Sequence, residues 1–259
     1  MATENIGRTL LVATAVALGC SAMVSLAIHY LRPIQDAYAQ LERNRTVLAA
    51  AGELPVELSD RQVVTGYLEL DIRLVDMTRG IFVDAAPVGK VHTYDHWALE
   101  EGSPLLLAPE GEPAPHQPTL TPRYVPVYLV WKGQTLHRLV LPVHGKGMWS
   151  TIYAYLALQG DLSTIAALHV YRHGETPGIG DRIEDPRWLS TWAGKRVYDD
   201  AGRSRFSLTK NASDSPYSVD LITGASVTSE ALGNIVRFWM GPQAYGPLLQ
   251  ALRETKEIR

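Results

Sequence analysis

The chain is 259 residues long, 46% hydrophobic and 20% charged, with a formal net charge of −3. These are globular proportions at a length that fits one large domain or two small ones, and a slightly acidic balance with no basic run argues against nucleic acid as a partner. Cys20 is the single cysteine, which rules out an intrachain disulfide and any cysteine-built metal or iron–sulfur centre.

Leu10–Ile28, LLVATAVALGCSAMVSLAI, is uncharged between Arg8 and Arg32 and long enough to cross a bilayer as one helix. A signal peptide is the competing reading, because Ala37-Tyr38-Ala39 has the small-x-small form of a cleavage site. Signal-peptide apolar cores usually run only about 7–15 residues, which favours an uncleaved anchor. Residues 1–32 are therefore read as a transmembrane anchor, 33–62 as a linker helix and 63–259 as a water-exposed domain. Arg8 precedes the span and Arg32, Arg43 and Arg45 follow it, so the charge count leans weakly against export of that domain.

Pro33 to Ala51 reads as a helix leaving the membrane and stopped by Gly52. Residues 63–83 predict strands, or a short helix followed by strands. Prolines at 104, 109, 113, 115, 118 and 122 make 103–122 a loop. Tyr124–Trp131 and Thr135–Val143 are β-rich runs joined by Lys132-Gly133-Gln134, a hairpin signature. Met148–Leu158 is expected to be a helix ending before Gly160, and Thr164–Tyr171 a strand leading into the Gly/Pro turn at 174–180. Leu232, Ile235, Val236 and Trp239 recur at helical spacing, so a last helix is expected over 229–239, ended by Gly241-Pro242. The charged tail after Leu252 is expected to fray. Helices and strands mix without a βαβ rhythm, so the fold class is α+β: a single N-terminal transmembrane helix followed by a mixed α/β domain.

Three segments carry the chemistry. Asp220-Leu221-Ile222-Thr223-Gly224-Ala225-Ser226-Val227-Thr228-Ser229 sets a carboxylate and four hydroxyls at a helix start. Free amides there favour a phosphate, and Gly224 and Ala225 let one approach the backbone. Gly145-Lys146-Gly147-Met148-Trp149-Ser150-Thr151 is glycine-flanked and expected to open a helix. Glu175-Thr176-Pro177-Gly178-Ile179-Gly180 is a turn whose glycines permit close approach. Taken singly, each is explained as an ordinary cap, turn or loop. Gly224-Ala225-Ser226-Val227-Thr228 also approximates a nucleophile elbow, but Thr228 replaces the last glycine and no histidine follows His173, so the hydrolase order fails. His92/His96 and His169/His173 have helical ligand spacing but lack cysteine or a clear third ligand, and read as surface or core histidines.

Together these segments resemble the C-subunit family of the sodium-translocating NADH:quinone oxidoreductases and, more distantly, the G subunits of Rnf electron-transport complexes. The likeness runs nearly the full length, through Asn44–Gly52, GKGMWSTIYAYLAL, HGETPGIG and DLITGASVTS…VRFWMGPQAYGPLL. It implies an FMN-binding domain in which a flavin transferase esterifies the FMN phosphate to a hydroxyl of a D-x-x-[ST]-G-A-T pattern. Asp220, Thr223, Gly224 and Ala225 match that pattern, and Ser226 takes the acceptor place usually held by threonine, with Thr223 and Thr228 as neighbouring alternatives. Serine offers the same hydroxyl with less bulk.

The resemblance makes Lys146, Gly147, Trp149, Ser150, Glu175, Thr176, Pro177, Gly178 and Ile179 the further cofactor-binding residues. Trp149, Pro177 and Ile179 would wall the isoalloxazine, the glycines at 147, 178 and 180 would admit main-chain groups to its polar edge, and Lys146 would favour anionic flavin. No general acid or base and no metal is implied. The expected role is a covalent-FMN electron carrier, with phosphoprotein character from the ester, in a six-subunit sodium-pumping membrane complex that passes electrons from NADH toward quinone. Its partners would be the B subunit above all, the D, E and F subunits, and the transferase. The family likeness places the domain on the periplasmic side of the bacterial inner membrane, against the arginine count. A Rnf G-type subunit, or a non-redox membrane-anchored FMN module, is the alternative.

Overall fold

The computed structural model describes residues 6–52, 58–109, 112–212 and 215–255. They begin with one long helix, α1 (Ile6–Ala51). Its first part is apolar with nothing covering it: the most apolar window has a mean hydropathy of 2.2 and none of it is buried. By length and composition this helix can cross a membrane, since Leu10–Ile28 at ~1.5 Å rise per residue covers roughly the ~30 Å of hydrocarbon. Its last turns differ, because Val47, Leu48, Ala50 and Ala51 are buried. Gly52 ends the helix as expected, with φ of +76° and its amide donating to the Ala49 carbonyl at 3.0 Å. The described residues divide into two compact units, one through Arg43 and one from Asn44 onward.

The second unit holds the remaining elements. α2 (Asp60–Glu69) starts where the Ser59 amide donates to the Gln62 side chain at 3.0 Å, one half of a capping box. It is followed by β1 (Asp71–Asp76) and β2 (Ile81–Val83), as the helix-then-strands reading of 63–83 expected. Two short strands, β3 (Leu106–Leu107) and β4 (Thr121–Pro122), pair within the otherwise irregular proline-rich stretch. Then come β5 (Tyr124–Lys132), β6 (Thr135–Lys146), β7 (Thr151–Gln159) and β8 (Ile165–Arg172). The chain closes with α3 (Pro186–Ser190), β9 (Ser207–Thr209), β10 (Ser218–Asp220), α4 (Ser226–Trp239) and α5 (Gly246–Thr255). Six strands form one sheet in the order β2-β1-β5-β6-β7-β8, every neighbouring pair antiparallel. The expected hairpin is β5–β6, turning at Gly133 with φ of +63°. A parallel pair, β9–β10, leads into α4.

One expectation fails outright: Met148–Leu158 is not a helix. Its residues from Thr151 on are β7, paired along its length with β6 and β8. Ile152, Ala154, Leu156 and Leu158 face one core while Tyr155 and Ala157 face the other. With both faces covered, the polar/apolar alternation that announces a strand is absent, and a run of alanine and leucine imitates a helix. The end of the chain also differs, because α5 continues past Leu252 to Thr255; residues 256–259 lie outside the described residues.

The sheet is covered on both sides. α4, α5 and the 183–222 region pack against one face through Trp192, Phe206, Leu232, Ile235, Val236, Trp239 and Leu249. Val47, Ala50 and Ala51 of α1 and Tyr67 of α2 cover Tyr128, Val140 and Tyr155 on the other. Two buried bonds lock the C-terminal helices to β6: the Trp239 indole donates to the His144 carbonyl at 2.6 Å, and the Tyr245 hydroxyl to the Pro142 carbonyl at 2.9 Å. Removing water from this apolar surface holds the layers together, at roughly 25 cal/mol per Å² buried.

Candidate functional site

The three segments singled out from sequence meet at one carboxylate. Glu175 follows β8 and is buried, 4% exposed. One of its oxygens accepts the amides of Trp149 (3.0 Å) and Ser150 (3.2 Å); the other accepts the Met148 amide (3.2 Å) and the Thr228 hydroxyl (2.9 Å). The 147–150 turn, the 174–180 turn and the first turn of α4 are thus tied through a single side chain. Burial alone would push the Glu175 carboxyl up, but the donors from Trp149, Thr228, Ser150 and Met148 outweigh it and hold the group below its ordinary value. Glycines make the approach possible. A Cβ at Gly147 would lie 2.5 Å from a Glu175 oxygen, and one at Gly180 would lie 2.9 Å from the Glu175 Cβ and 3.3 Å from the Thr228 hydroxyl.

The 145–151 segment does not open a helix. It turns between β6 and β7, closed by the Gly147 amide on the Ser150 carbonyl at 2.7 Å. The Ser150 hydroxyl accepts the Gly174 amide at 2.6 Å, a second tie to the 174–180 turn. Lys146 bonds through its main chain to His116, its amide to the His116 carbonyl and its carbonyl to the His116 ring, leaving the side chain exposed. In the 174–180 turn the Thr176 carbonyl accepts the amides of Ile179 and Gly180, and Gly178 holds φ of +77° with its amide on Asp181. Pro177 is exposed, as are Met148, Trp149, Ile179 and Val227, with Trp149 at 70%.

Three of the four hydroxyls, Ser226, Thr228 and Ser229, sit in the helix rather than ahead of it, since α4 begins at Ser226, three residues before the expected start, and Thr223 precedes it. Ala225 occupies the N-cap and has no side-chain bond to give, so the first-turn amides lack both an intrahelical acceptor and a side-chain cap. Gly224 has φ of +86° and open space where a Cβ would stand. Ser229 looks inward: its hydroxyl donates to the Ala225 carbonyl at 2.9 Å and accepts the Ile222 amide at 3.2 Å, which fixes the turn. The Asp220 carboxylate accepts the Ala212 amide at 2.6 Å. Ser226 is half-buried and Thr223 exposed.

Two residues of this site escaped the sequence reading. The Arg182 guanidinium donates to the Thr223 carbonyl at 2.7 Å, bringing a cation beside the Thr223–Ser226 turn, and the Trp188 indole donates to the Asp220 carbonyl at 2.8 Å. Both follow the glycine turn in a stretch without helical or strand periodicity. The only available signal was an arginine close behind Gly178-Ile179-Gly180.

A family model described as an FMN-binding domain matches residues 147–241, which takes in the 175–180 and 220–229 segments whole and the 145–151 segment from Gly147 on. The C subunit of the Na+-translocating NADH-quinone reductase of Pseudomonas aeruginosa is 35% identical over 258 residues, covering 97% of this chain and 97% of that protein. The chain belongs to this C-subunit family. Its Yersinia pestis member is 34% identical, over 97% of this chain and 94% of its own length. The crystal structure of Shewanella oneidensis NqrC matches with a TM-score of 0.73 at 28% identity, covering 84% of this chain and 99% of that one. Membership of the C-subunit family therefore agrees with the α+β domain, the N-terminal apolar helix suited to a membrane anchor, and the FMN-binding stretch.

Proposed function

We propose that this chain is the electron-carrying flavoprotein subunit of a sodium-translocating NADH:quinone reductase, with FMN esterified through its phosphate to Ser226. The observation that carries the reading is the meeting of the three segments at Glu175 beside an uncapped helix start. The residues present fit the group. A phosphodiester keeps one negative charge, and the first-turn amides of α4 with the positive end of its dipole favour that charge. Arg182, already bonded to the Thr223 carbonyl, adds a cation at the same turn. The exposed faces of Trp149, Pro177, Ile179 and Val227 supply apolar surface for a flat ring.

Bound there, FMN would supply one- and two-electron redox chemistry. The protein's share is to hold and orient: Glu175 keeps the 147–150 turn at a fixed place relative to Thr228, and Gly224 leaves the backbone open to the phosphate. Residues 1–32 would anchor the chain in the bacterial inner membrane, 33–62 would link it, with the buried end of α1 in that stretch packed into the domain, and 63–259 would form the rest of the domain, on the periplasmic side. The family likeness supports that side; the arginines after the span do not. The B subunit, the D, E and F subunits and the transferase are the partners this reading requires.

The test is the chain made together with its transferase and denatured. Flavin fluorescence should stay with the polypeptide, peptide mapping should place the adduct on Ser226, and Ser226→Ala should lose it with the melting temperature little changed. A mature chain of unmodified mass would end the proposal.

A further inference from the structure

A cleft of about 390 Å³ opens elsewhere in the domain, lined by His96, Trp97, Thr119, Leu120, His144 and Tyr153 among others. None of these residues belongs to the three segments that meet at Glu175. His144 and Tyr153 are paired directly across β6–β7, and their rings stack 13° from parallel with centroids 5.8 Å apart. Trp97 stands edge-on to both, at 4.3 Å and 5.5 Å. The volume lies within the ~300–1,000 Å³ of small-molecule sites, and its walls are flat rings.

The polar atoms of this wall are the informative part. His144 is 8% exposed, yet its Nδ1 has no hydrogen-bond partner among the described residues, and neither has the indole nitrogen of Trp97. Buried polar atoms are nearly always bonded, and leaving one without a partner costs ~1–3 kcal/mol. Burial pushes the His144 imidazole down to about 3, which the Leu120 carbonyl only partly offsets, so the ring is neutral at physiological pH. The Trp97 N–H can only donate, and because the Leu120 carbonyl takes the one N–H of the neutral His144 ring, its unpartnered Nδ1 can only accept. The wall thus offers stacking surface, one donor, one acceptor and no positive charge on the imidazole.

We propose that this cleft binds a neutral, planar fused-ring compound bearing a ring carbonyl, stacked on Trp97 and the His144–Tyr153 pair, with its carbonyl oxygen accepting the Trp97 N–H. The proposal stands independently of flavin at Ser226. Two sources share this chemistry: a cyclic diketone of the naphthoquinone type, and a phosphate-free flavin-type ring.

Equilibrium dialysis of the full chain in detergent against 2,3-dimethyl-1,4-naphthoquinone and against lumichrome separates them. At least one probe should bind saturably, one per chain, and with equal affinity in Ser226→Ala. Trp97→Phe keeps a ring and deletes the donor, and should weaken binding about five- to ten-fold. Thr119→Trp, at an exposed rim position, fills the cleft without entering the core and should abolish saturable binding while the melting temperature holds. The proposal is overturned if neither probe saturates below ~1 mM, if either cleft variant binds like the parent chain, or if Ser226→Ala removes binding.

Discussion

Glu175 gathers four donors from two stretches of chain, 148–150 and the first turn of α4, that lie far from it and from each other in sequence. Its replacement by glutamine keeps the shape but leaves a single oxygen and brings an NH2 against amides that can only donate. Bonds to a charged acceptor are worth about 1.5–3 kcal/mol each before compensation, so Glu175→Gln should lower unfolding stability by ~2–4 kcal/mol in a denaturant titration. The pH dependence has a fixed sign. The folded carboxyl titrates below its ordinary value of 4.5, so its contribution is complete above that value and is lost as pH falls through the folded one. The gap between parent and Glu175→Gln should therefore close on acidification, and a gap that widened would show that Glu175 is not the ionised clasp. Glutamate ahead of Thr-Pro-Gly was visible in the sequence as part of a motif; its partners were not, because nothing local indicates which distant amides will lack acceptors.

At the scale of elements, α4 is set against the sheet by small residues. A Cβ on Gly145 of β6 would lie 2.4 Å from the His116 carbonyl and 2.5 Å from the Ile235 side chain. Gly145→Ala therefore has to displace backbone as well as α4, and overpacking of this kind costs typically about 1–3 kcal/mol. Its thermal unfolding midpoint should fall, whereas Gly133→Ala, with open space at a left-handed turn, should cost only about 1 kcal/mol from backbone strain. The β5–β6 hairpin and the amphipathic α4 were readable because each shows one face to solvent or a turn to the ladder. β7 was not, since a strand covered on both sides carries no period. α3, β9 and β10 were missed because three to five residues do not complete a recognisable pattern. The start of α4 was misplaced because Ser and Thr read as caps, while the structure has Ala225 at the cap and the hydroxyls inside the first turn.

At the scale of the molecule, Val47, Leu48, Ala50 and Ala51 belong to the domain's core although they end the helix that begins with the apolar stretch. The Arg138 guanidinium also donates to the Ala50 carbonyl at 3.1 Å. A fragment beginning at Asn44 should consequently fold as a water-soluble domain. One beginning at Leu58 uncovers Tyr67, Tyr128 and Val140, and should lose several kcal/mol by the ~25 cal/mol per Å² measure. Calorimetry of the two fragments checks this, and equal melting temperatures would show that the last turns of α1 contribute nothing. The anchor was legible from hydropathy alone. Its share in the core was not, because alanines and a valine at a helix end carry no label saying what they pack against.

Ala225 leaves α4 without a brace at the very residue next to the proposed attachment point. An esterified anion would make good that deficit, stiffening the 220–228 stretch only in chains that have been through maturation. Finished copies should then withstand limited proteolysis there while unfinished ones are nicked. Quality control in the cell would need no receptor for the flavin: degradation would cull the blank subunits before assembly.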